Sequence, residues 1–271
     1  MKRSWFAMPY VAWMILFTVA PLLFVVYFAF TDAQGGFTLA NIYKFFDPLY
    51  LSVLWRSLYL PFACTVICLI IGYPAAYFLA GKDFEKNQAL FVLILLPMWM
   101  NFLLRTYAMM SLMEDRGIIN NLLVSMGMDR LNMIGTEGAV LFGMVYNFVP
   151  FMILPIYTSL KKLDRRVIEA AEDLGANPLG VFRRVVFPLS IPGIISGITM
   201  VFMPAVTTFA ISRLLGSGNF WLFGDIIERN FLESNNQYFG SALSLVMMVL
   251  IIISIGLLNK VEKKQEGGGA W

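Results

Sequence analysis

The sequence predicts an all-α transmembrane protein, and its composition and segment lengths support this fold class. Of 271 residues, 59% are hydrophobic and 14% are charged, with a mean hydropathy of +0.74. Ordinary soluble domains carry about 25% charged residues. A chain this apolar cannot cover its exterior with polar side chains, so we expect lipid to surround most of it.

Six segments are apolar enough and long enough, at about 20 residues, to cross a bilayer as helices. We expect them to form one transmembrane domain over residues 1–271. The first segment is too long for the apolar core of a signal sequence and should stay as an anchor. The third admits one charge, Arg105. The predicted spans are residues 9–30, 58–81, 88–112, 138–160, 190–211 and 239–259.

Lysine and arginine residues between the spans predict that both termini are cytoplasmic, because positive residues are retained on that side. With the N-terminus inside, the inner segments contain Lys2, Arg3, Lys82, Lys86, Lys161, Lys162, Arg165, Arg166, Arg183, Arg184, Lys260, Lys263 and Lys264. The outer segments contain only Lys44, Arg56, Arg116, Arg130, Arg213 and Arg229.

The residue types exclude several kinds of chemistry. The chain has no histidine, which rules out a Ser-His-Asp triad, a histidine-ligated zinc and a histidine proton relay. Cys64 and Cys68 lie one helical turn apart in an apolar run and are interpreted as small core residues. We therefore predict no catalytic residue and no metal site.

One polar inner segment, residues 161–188, has a helical pattern of its own. Apolar residues recur at steps of three and four, as in an amphipathic helix. Gly175 is a stop signal, and Asn177-Pro178 is a restart signal with Asn as the N-cap. The first apolar stripe comprises Leu163, Val167, Ala170, Ala171 and Leu174, and the second comprises Leu179, Phe182 and Val186.

Two interpretations of this helical hairpin stay open on periodicity alone. The small pair Ala170-Ala171 and the turn at Gly175 suit a segment that docks into another protein. Alternatively, the basic residues hold an amphipathic helix on anionic lipid headgroups.

The residues of the hairpin resemble a known family motif. Glu169-Ala170-Ala171, three further residues, Gly175, nine further residues, and Val185 with Phe187-Pro188 are similar to the EAA motif of permease subunits in binding-protein-dependent ABC importers. This chain has Val185 and Phe187 where the family pattern has Ile and Leu. The resemblance implies the six-helix, MetI-like permease fold, with a coupling-helix hairpin between spans four and five.

Within that family, the chain is most similar to the first (B-type) permease of spermidine/putrescine importers. The resemblance extends over most of the chain, although some relatives have Asp at the position of Arg213. The matching segments include Asp47-Pro48-Leu49-Tyr50, residues 97–101 with Arg105 and Tyr107, Asp173-Leu174-Gly175-Ala176, Ile191-Pro192-Gly193-Ile194 and Met203-Pro204-Ala205.

The resemblance implies a polyamine importer subunit that works by alternating access and does not itself hydrolyse ATP. The sequence has no Gly-x-x-x-x-Gly-Lys-Ser/Thr loop, so ATP and Mg would be bound by a partner ATPase and no cofactor by this chain. The implied partners are a dimer of ABC ATPase subunits, a homologous second permease, an extracytoplasmic polyamine-binding protein and the lipid bilayer. No nucleic-acid partner is implied. The implied ATPase-coupling residues are Glu169, Ala170, Ala171, Asp173, Gly175 and Pro188.

A passage for a polyamine needs aromatic faces, carbonyl groups and a few acids. No Asp or Glu lies within a predicted span, so carboxylates would meet the substrate only at the rims. We expect Arg105 to be paired or to extend to the interface rather than to contact a cation. The substrate-pathway candidates are Trp99, Asn101, Tyr107, Tyr146, Asn147 and Phe209.

Other functions remain to be weighed against this one. The same importer type carries other solutes, such as ferric iron, sulfate, molybdate or thiamine. An intramembrane enzyme would need catalytic groups at membrane depth, and the absence of histidine and of intramembrane acids argues against it. A channel or secondary transporter would need neither the hairpin nor an ATPase.

Overall fold

The computed structural model describes residues 8–81 and 88–266. The inner cations Lys2, Arg3, Lys82 and Lys86 lie outside the described residues. Twelve helices form in this part of the chain. They are α1 (Met8–Ala29), α2 (Ala40–Phe45), α3 (Pro48–Ala80), α4 (Gln88–Trp99), α5 (Phe102–Met113), α6 (Ile118–Ser125), α7 (Glu137–Lys161), α8 (Arg165–Asp173), α9 (Pro178–Thr207), α10 (Ala210–Leu215), α11 (Phe223–Leu232) and α12 (Gln237–Glu266).

Five of the described helices are long and apolar enough to cross a membrane: α1, α3, α7, α9 and the Gln237–Leu258 part of α12. A sixth crossing results if the bent pair α4 and α5–α6 counts as one span. The prediction of one continuous third helix over residues 88–112 is wrong, because the chain bends by 100° between Trp99 and Phe102. Asn101 has an extended backbone and caps α5, so the helix restarts there.

The helices belong to two compact units. The first comprises residues 8–55 and 223–254 of the described chain. Aromatic rings hold it together, with Tyr50 and Phe239 5.0 Å apart between centroids and Phe45 and Phe223 6.1 Å apart. The Lys44 ammonium lies 4.5 Å from the centroid of the Phe239 ring, which is a cation–π contact.

The second unit comprises residues 56–81, 88–222 and 255–266 of the described chain. Its core is centred on α7, which packs closely along α9 because glycines of α9 face α7. A Cβ on Gly193 would lie 2.5 Å from Cβ of Ser159, and one on Gly197 would lie 2.7 Å from Sδ of Met152. Small residues at such seams allow helix backbones to approach within a membrane.

This close approach predicts that Gly193→Ala lowers the thermal stability of the chain. The added methyl would also meet the Pro155 carbonyl oxygen at 2.8 Å, and overpacking of this kind costs about 1–3 kcal/mol. We expect the Tm in detergent to fall by several degrees, roughly 2–4 °C for each kcal/mol. Gly256→Ala is the matched control, since nothing lies within 4 Å of a Cβ there; equal losses in both variants would contradict the prediction.

Candidate coupling segment and transport pathway

The coupling segment, residues 161–188, begins with a capped helix. Asp164 is the N-cap of α8, and its carboxylate accepts a hydrogen bond of 3.0 Å from the amide of Arg166. Such a cap satisfies one of the amides that the first helical turn leaves without an intrahelical partner. The start of α8 is therefore fixed by local sequence.

Gly175 ends α8 in a Schellman motif. Its φ of +82° lies in the left-handed region, which glycine adopts without steric cost. The Gly175 amide donates to the Glu172 carbonyl at 2.9 Å, and the Ala176 amide donates to the Ala171 carbonyl at 3.1 Å; both bonds are characteristic of this motif. Asn177 then caps α9 by accepting from the Gly180 amide at 2.8 Å.

The apolar stripe of α8 divides between two faces. Leu163 and Ala171, together with Ile168, pack against the core. Val167, Ala170 and Leu174 are exposed, and Leu174 has 88% of its surface accessible. The segment therefore presents an apolar face that the chain does not cover, beside the exposed carboxylates of Glu169 and Asp173.

The second arm of the hairpin is not a separate helix. The sequence placed the fifth span at residues 190–211, but α9 starts at Pro178 and continues to Thr207. A π-helical turn, Phe182–Val186, precedes Pro188, and the Phe187 amide bonds to the Phe182 carbonyl. The wider turn accommodates a proline that lacks an amide hydrogen, so the coupling segment leads directly into a membrane span.

An aromatic cluster, Tyr73, Tyr77, Phe182 and Phe187, holds the start of α9 against α3. The Phe182 ring lies 5.9 Å from that of Tyr73 and 5.5 Å from that of Tyr77, both edge to face. Hydroxyls of Tyr73 and Ser190 are 2.9 Å apart and hydrogen-bonded. We did not predict this cluster from sequence, although Tyr73 and Tyr77 are four residues apart on one helix face.

A cavity of about 500 Å³ lies between the coupling segment and the ends of α3 and α7. Its lining includes Tyr77, Phe78, Ile168, Glu169 and Glu172. Glu169 is thus exposed and at the same time lines this cavity. The α8 helix therefore packs against the core through Ile168 and Ala171 and borders an open cavity beside that contact.

The pathway candidates fall into separate places in the second unit. Trp99, with 80% of its surface accessible, and Asn101 lie at the bend between α4 and α5. Tyr107 is exposed on α5, and Phe209 is exposed in the break between α9 and α10. Asn101 has hydrogen-bond partners within its own helical turn, since its side-chain oxygen accepts from the amides of Leu103 and Leu104.

Tyr146 and Asn147 are brought together with Arg105 and Thr106, where α5 faces the middle of α7. The Asn147 amide nitrogen donates to the Gly143 carbonyl at 2.9 Å and lies 3.5 Å from Oγ1 of Thr106. Tyr146 is next to Asn147 and Arg105 is next to Thr106 in the sequence, so both lie beside this contact. Arg105 is only 5% exposed, so it is packed within the described chain, and the expectation that it is paired or extends to the interface stays a prediction.

A family of known proteins matches nearly the whole chain. The profile of the binding-protein-dependent transport system inner membrane component matches residues 3–267. The chain belongs to this family. It is a multi-pass inner-membrane permease of an ABC importer, and its all-α transmembrane fold, predicted from sequence, is confirmed.

Two curated relatives of this permease are similar to it over more than nine-tenths of their length. The spermidine/putrescine transport system permease protein PotB of Haemophilus influenzae is 39% identical over 260 residues, covering 93% of this chain and 91% of the relative. PotB of Escherichia coli K12 is 36% identical over 268 residues, covering 94% and 98%.

Solved structures share the fold of this permease. A bacterial ABC transporter involved in the import of the acidic polysaccharide alginate has a TM-score of 0.80 at 17% identity, covering 97% of this chain and 96% of that chain. The inward-facing MetNI methionine ABC transporter has a TM-score of 0.63 at 16% identity, covering 79% and 95%.

Proposed function

We propose that this permease imports polyamines, spermidine and putrescine, as one membrane-spanning half of an ATP-driven importer. The substrate class is inferred from the 36–39% identity to PotB proteins over more than nine-tenths of the chain. The structural relatives carry other substrates at 16–17% identity, so they support the fold and not the cargo.

The permease is non-catalytic in this proposal, and its energy comes from a partner. A dimer of ABC ATPase subunits binds ATP and Mg and docks on the exposed face of α8, with Glu169, Ala170, Ala171, Asp173 and Gly175 at or beside the contact. Closure of the ATPase dimer moves the coupling segment as a rigid body. Contacts that differ between the two states of the transporter couple closure of the ATPase dimer to movement of the coupling segment.

The continuity of α9 supports this transmission. A displacement of the turn at Gly175 is transmitted through Asn177 and Pro178 to α9. This helix of 30 residues continues to Thr207. The aromatic cluster around Phe182 and the Tyr73–Ser190 hydrogen bond connect the same motion to α3. Pro188 lies next to the π-helical turn, where a change in helix bending is least costly.

The pore has a second, homologous permease as its other half, and an extracytoplasmic polyamine-binding protein delivers substrate to the outer mouth. Both termini are cytoplasmic, which places the coupling segment on the side where ATP is hydrolysed. The polyamine passes the exposed aromatic and amide groups of Trp99, Asn101, Tyr107, Tyr146 and Phe209, and Asn147 is buried beside Tyr146. Aromatic faces attract ammonium groups without holding them tightly.

The test is uptake by the reconstituted complex. The chain is co-expressed with its second permease and ATPase, inserted into vesicles with ATP on the ATPase side, and supplied with binding protein and labelled spermidine. We expect ATP-dependent accumulation that excess putrescine reduces and that sulfate or thiamine does not. Competition by sulfate or thiamine, with none by putrescine, would assign this permease to another cargo.

A further inference from the structure

The cavity between α8 and the ends of α3 and α7 has largely apolar walls. Aromatic rings come from Tyr77 and Phe78 of α3, and aliphatic groups come from Ile168 of α8 and Val181 of α9. Its volume of about 500 Å³ is in the range of about 300–1,000 Å³ that is typical of small-molecule sites. The cavity is thus large enough for a small organic ligand, and its walls suit the apolar part of one.

Carboxylates are in excess among the charged groups of this cavity. Glu169 and Glu172 line it together with one guanidinium, that of Arg165. Neither glutamate has a side-chain partner within the described residues. Positions three apart on a helix place their Cβ atoms about 5–6 Å from each other. Two carboxylates at this separation suit a ligand whose ammonium groups are joined by a short methylene chain.

The cavity and the exposed apolar face lie on opposite sides of α8. The cavity-lining residues of this helix are Arg165, Ile168, Glu169 and Glu172. They recur at steps of three and four, so they share one helix face. At about 100° per residue, the centre of that face is about 180° from Val167 and Ala170. A ligand in the cavity therefore leaves the apolar face of α8 open to a partner protein.

We propose that this cavity binds a short aliphatic polyamine from the side of the coupling segment. The ammonium groups lie against Glu169 and Glu172, and the methylene chain lies against Ile168 and the aromatic rings of α3. A divalent metal ion gains nothing from the apolar walls, because it binds oxygen ligands. The inference rests on the proposed function for the source of its ligand, since import releases polyamines on this side. A bound polyamine contacts α8 and the ends of α3 and α7 together, so it holds the coupling segment against the bundle.

Amide hydrogen exchange of the full chain in detergent, read by mass spectrometry, tests this inference at the site itself. The amides of a short surface helix exchange through local opening, and a ligand that binds only the closed form slows that exchange. We expect saturating spermidine to slow exchange in Arg165–Asp173 at least about threefold. The short helix Ile118–Ser125 lies outside the site and should exchange at an unchanged rate. Magnesium at the same total charge should slow neither helix.

Glu172→Gln should raise the spermidine concentration for half-maximal slowing at least about threefold, because it removes one carboxylate from the site. Ala80→Leu is a second variant that fills the cavity without a change of charge, and it should raise the same concentration. Asp129→Asn, at an exposed position outside the coupling segment, is the matched control and should respond as the wild type does. Equal slowing by magnesium, no slowing by spermidine, or an unchanged response of Glu172→Gln and Ala80→Leu overturns the inference alone. The exchange measurement needs no transport, so a lack of ATP-driven spermidine uptake by the wild-type complex overturns the proposed function separately.

Discussion

Leu174→Asp is expected to uncouple this permease from its ATPase while leaving its fold intact. Leu174 follows α8, exposes 88% of its surface and extends the apolar face of Val167 and Ala170. Burial of a leucine in a partner contributes about 1.5–3 kcal/mol. Its replacement by a charge should weaken ATPase binding by roughly 10- to 100-fold, measured by titration of the purified permease complex with ATPase.

Leu232→Asp is the matched control for this experiment. Leu232 is 75% exposed and also lies at the end of a short helix, α11, remote in sequence from the coupling segment. It should bind ATPase as the wild type does. If Leu174→Asp binds ATPase with unchanged affinity, the exposed face of α8 is not the docking surface and the lipid-headgroup interpretation of the segment becomes the better one.

The local signals of the coupling segment could be predicted from sequence. Gly175, Asn177 and Pro178 act through backbone conformation and capping bonds that involve residues within a few positions. These effects do not depend on the rest of the fold. The helix stop, the left-handed turn and the restart were therefore all available from one short stretch of sequence.

The exposed face of α8 could not be predicted in the same way. A helical period shows that apolar residues share a stripe, but it does not show which of them meets core, lipid or partner. Ala171 and Ala170 are neighbours of the same type, yet Ala171 packs against the core and Ala170 is exposed. Only the packing of α8 on the bundle distinguishes them.

The positions of the pathway residues were harder to predict, because a hydropathy window counts the residue types of a segment and takes no account of the residues that they contact. The window that contains Pro97 and Asn101 predicts one straight span, whereas the Asn101 cap starts a new helix across a 100° bend. Arg105 in the same window was expected to find a partner or the interface. Its burial opposite Asn147 depends on tertiary contacts between segments about 40 residues apart.

Gly175→Val is expected to reduce ATP-driven uptake to below about a tenth of the wild-type rate. A side chain at a φ of +82° costs about 1–2 kcal/mol for most residues, and a β-branched residue fits this region worst. Relief of that strain unwinds the Schellman motif and reorients Leu174 and Asp173. Since nothing lies within 4 Å of a Cβ at this position, the core is not disturbed, and the measured quantity is uptake per assembled complex.

Gly127→Val separates a coupling defect from a general effect of strain. Gly127 has a φ of +79° and open space around its Cβ, and it ends α6 with the same pair of bonds, from its own amide to the Val124 carbonyl and from the Met128 amide to the Leu123 carbonyl. The two variants thus strain the same motif, one inside the coupling segment and one outside it. Uptake should survive Gly127→Val and should largely return with Gly175→Asn, because asparagine tolerates the left-handed region. Equal losses in the two valine variants would mean that the turn at Gly175 serves stability and does not transmit the ATPase motion.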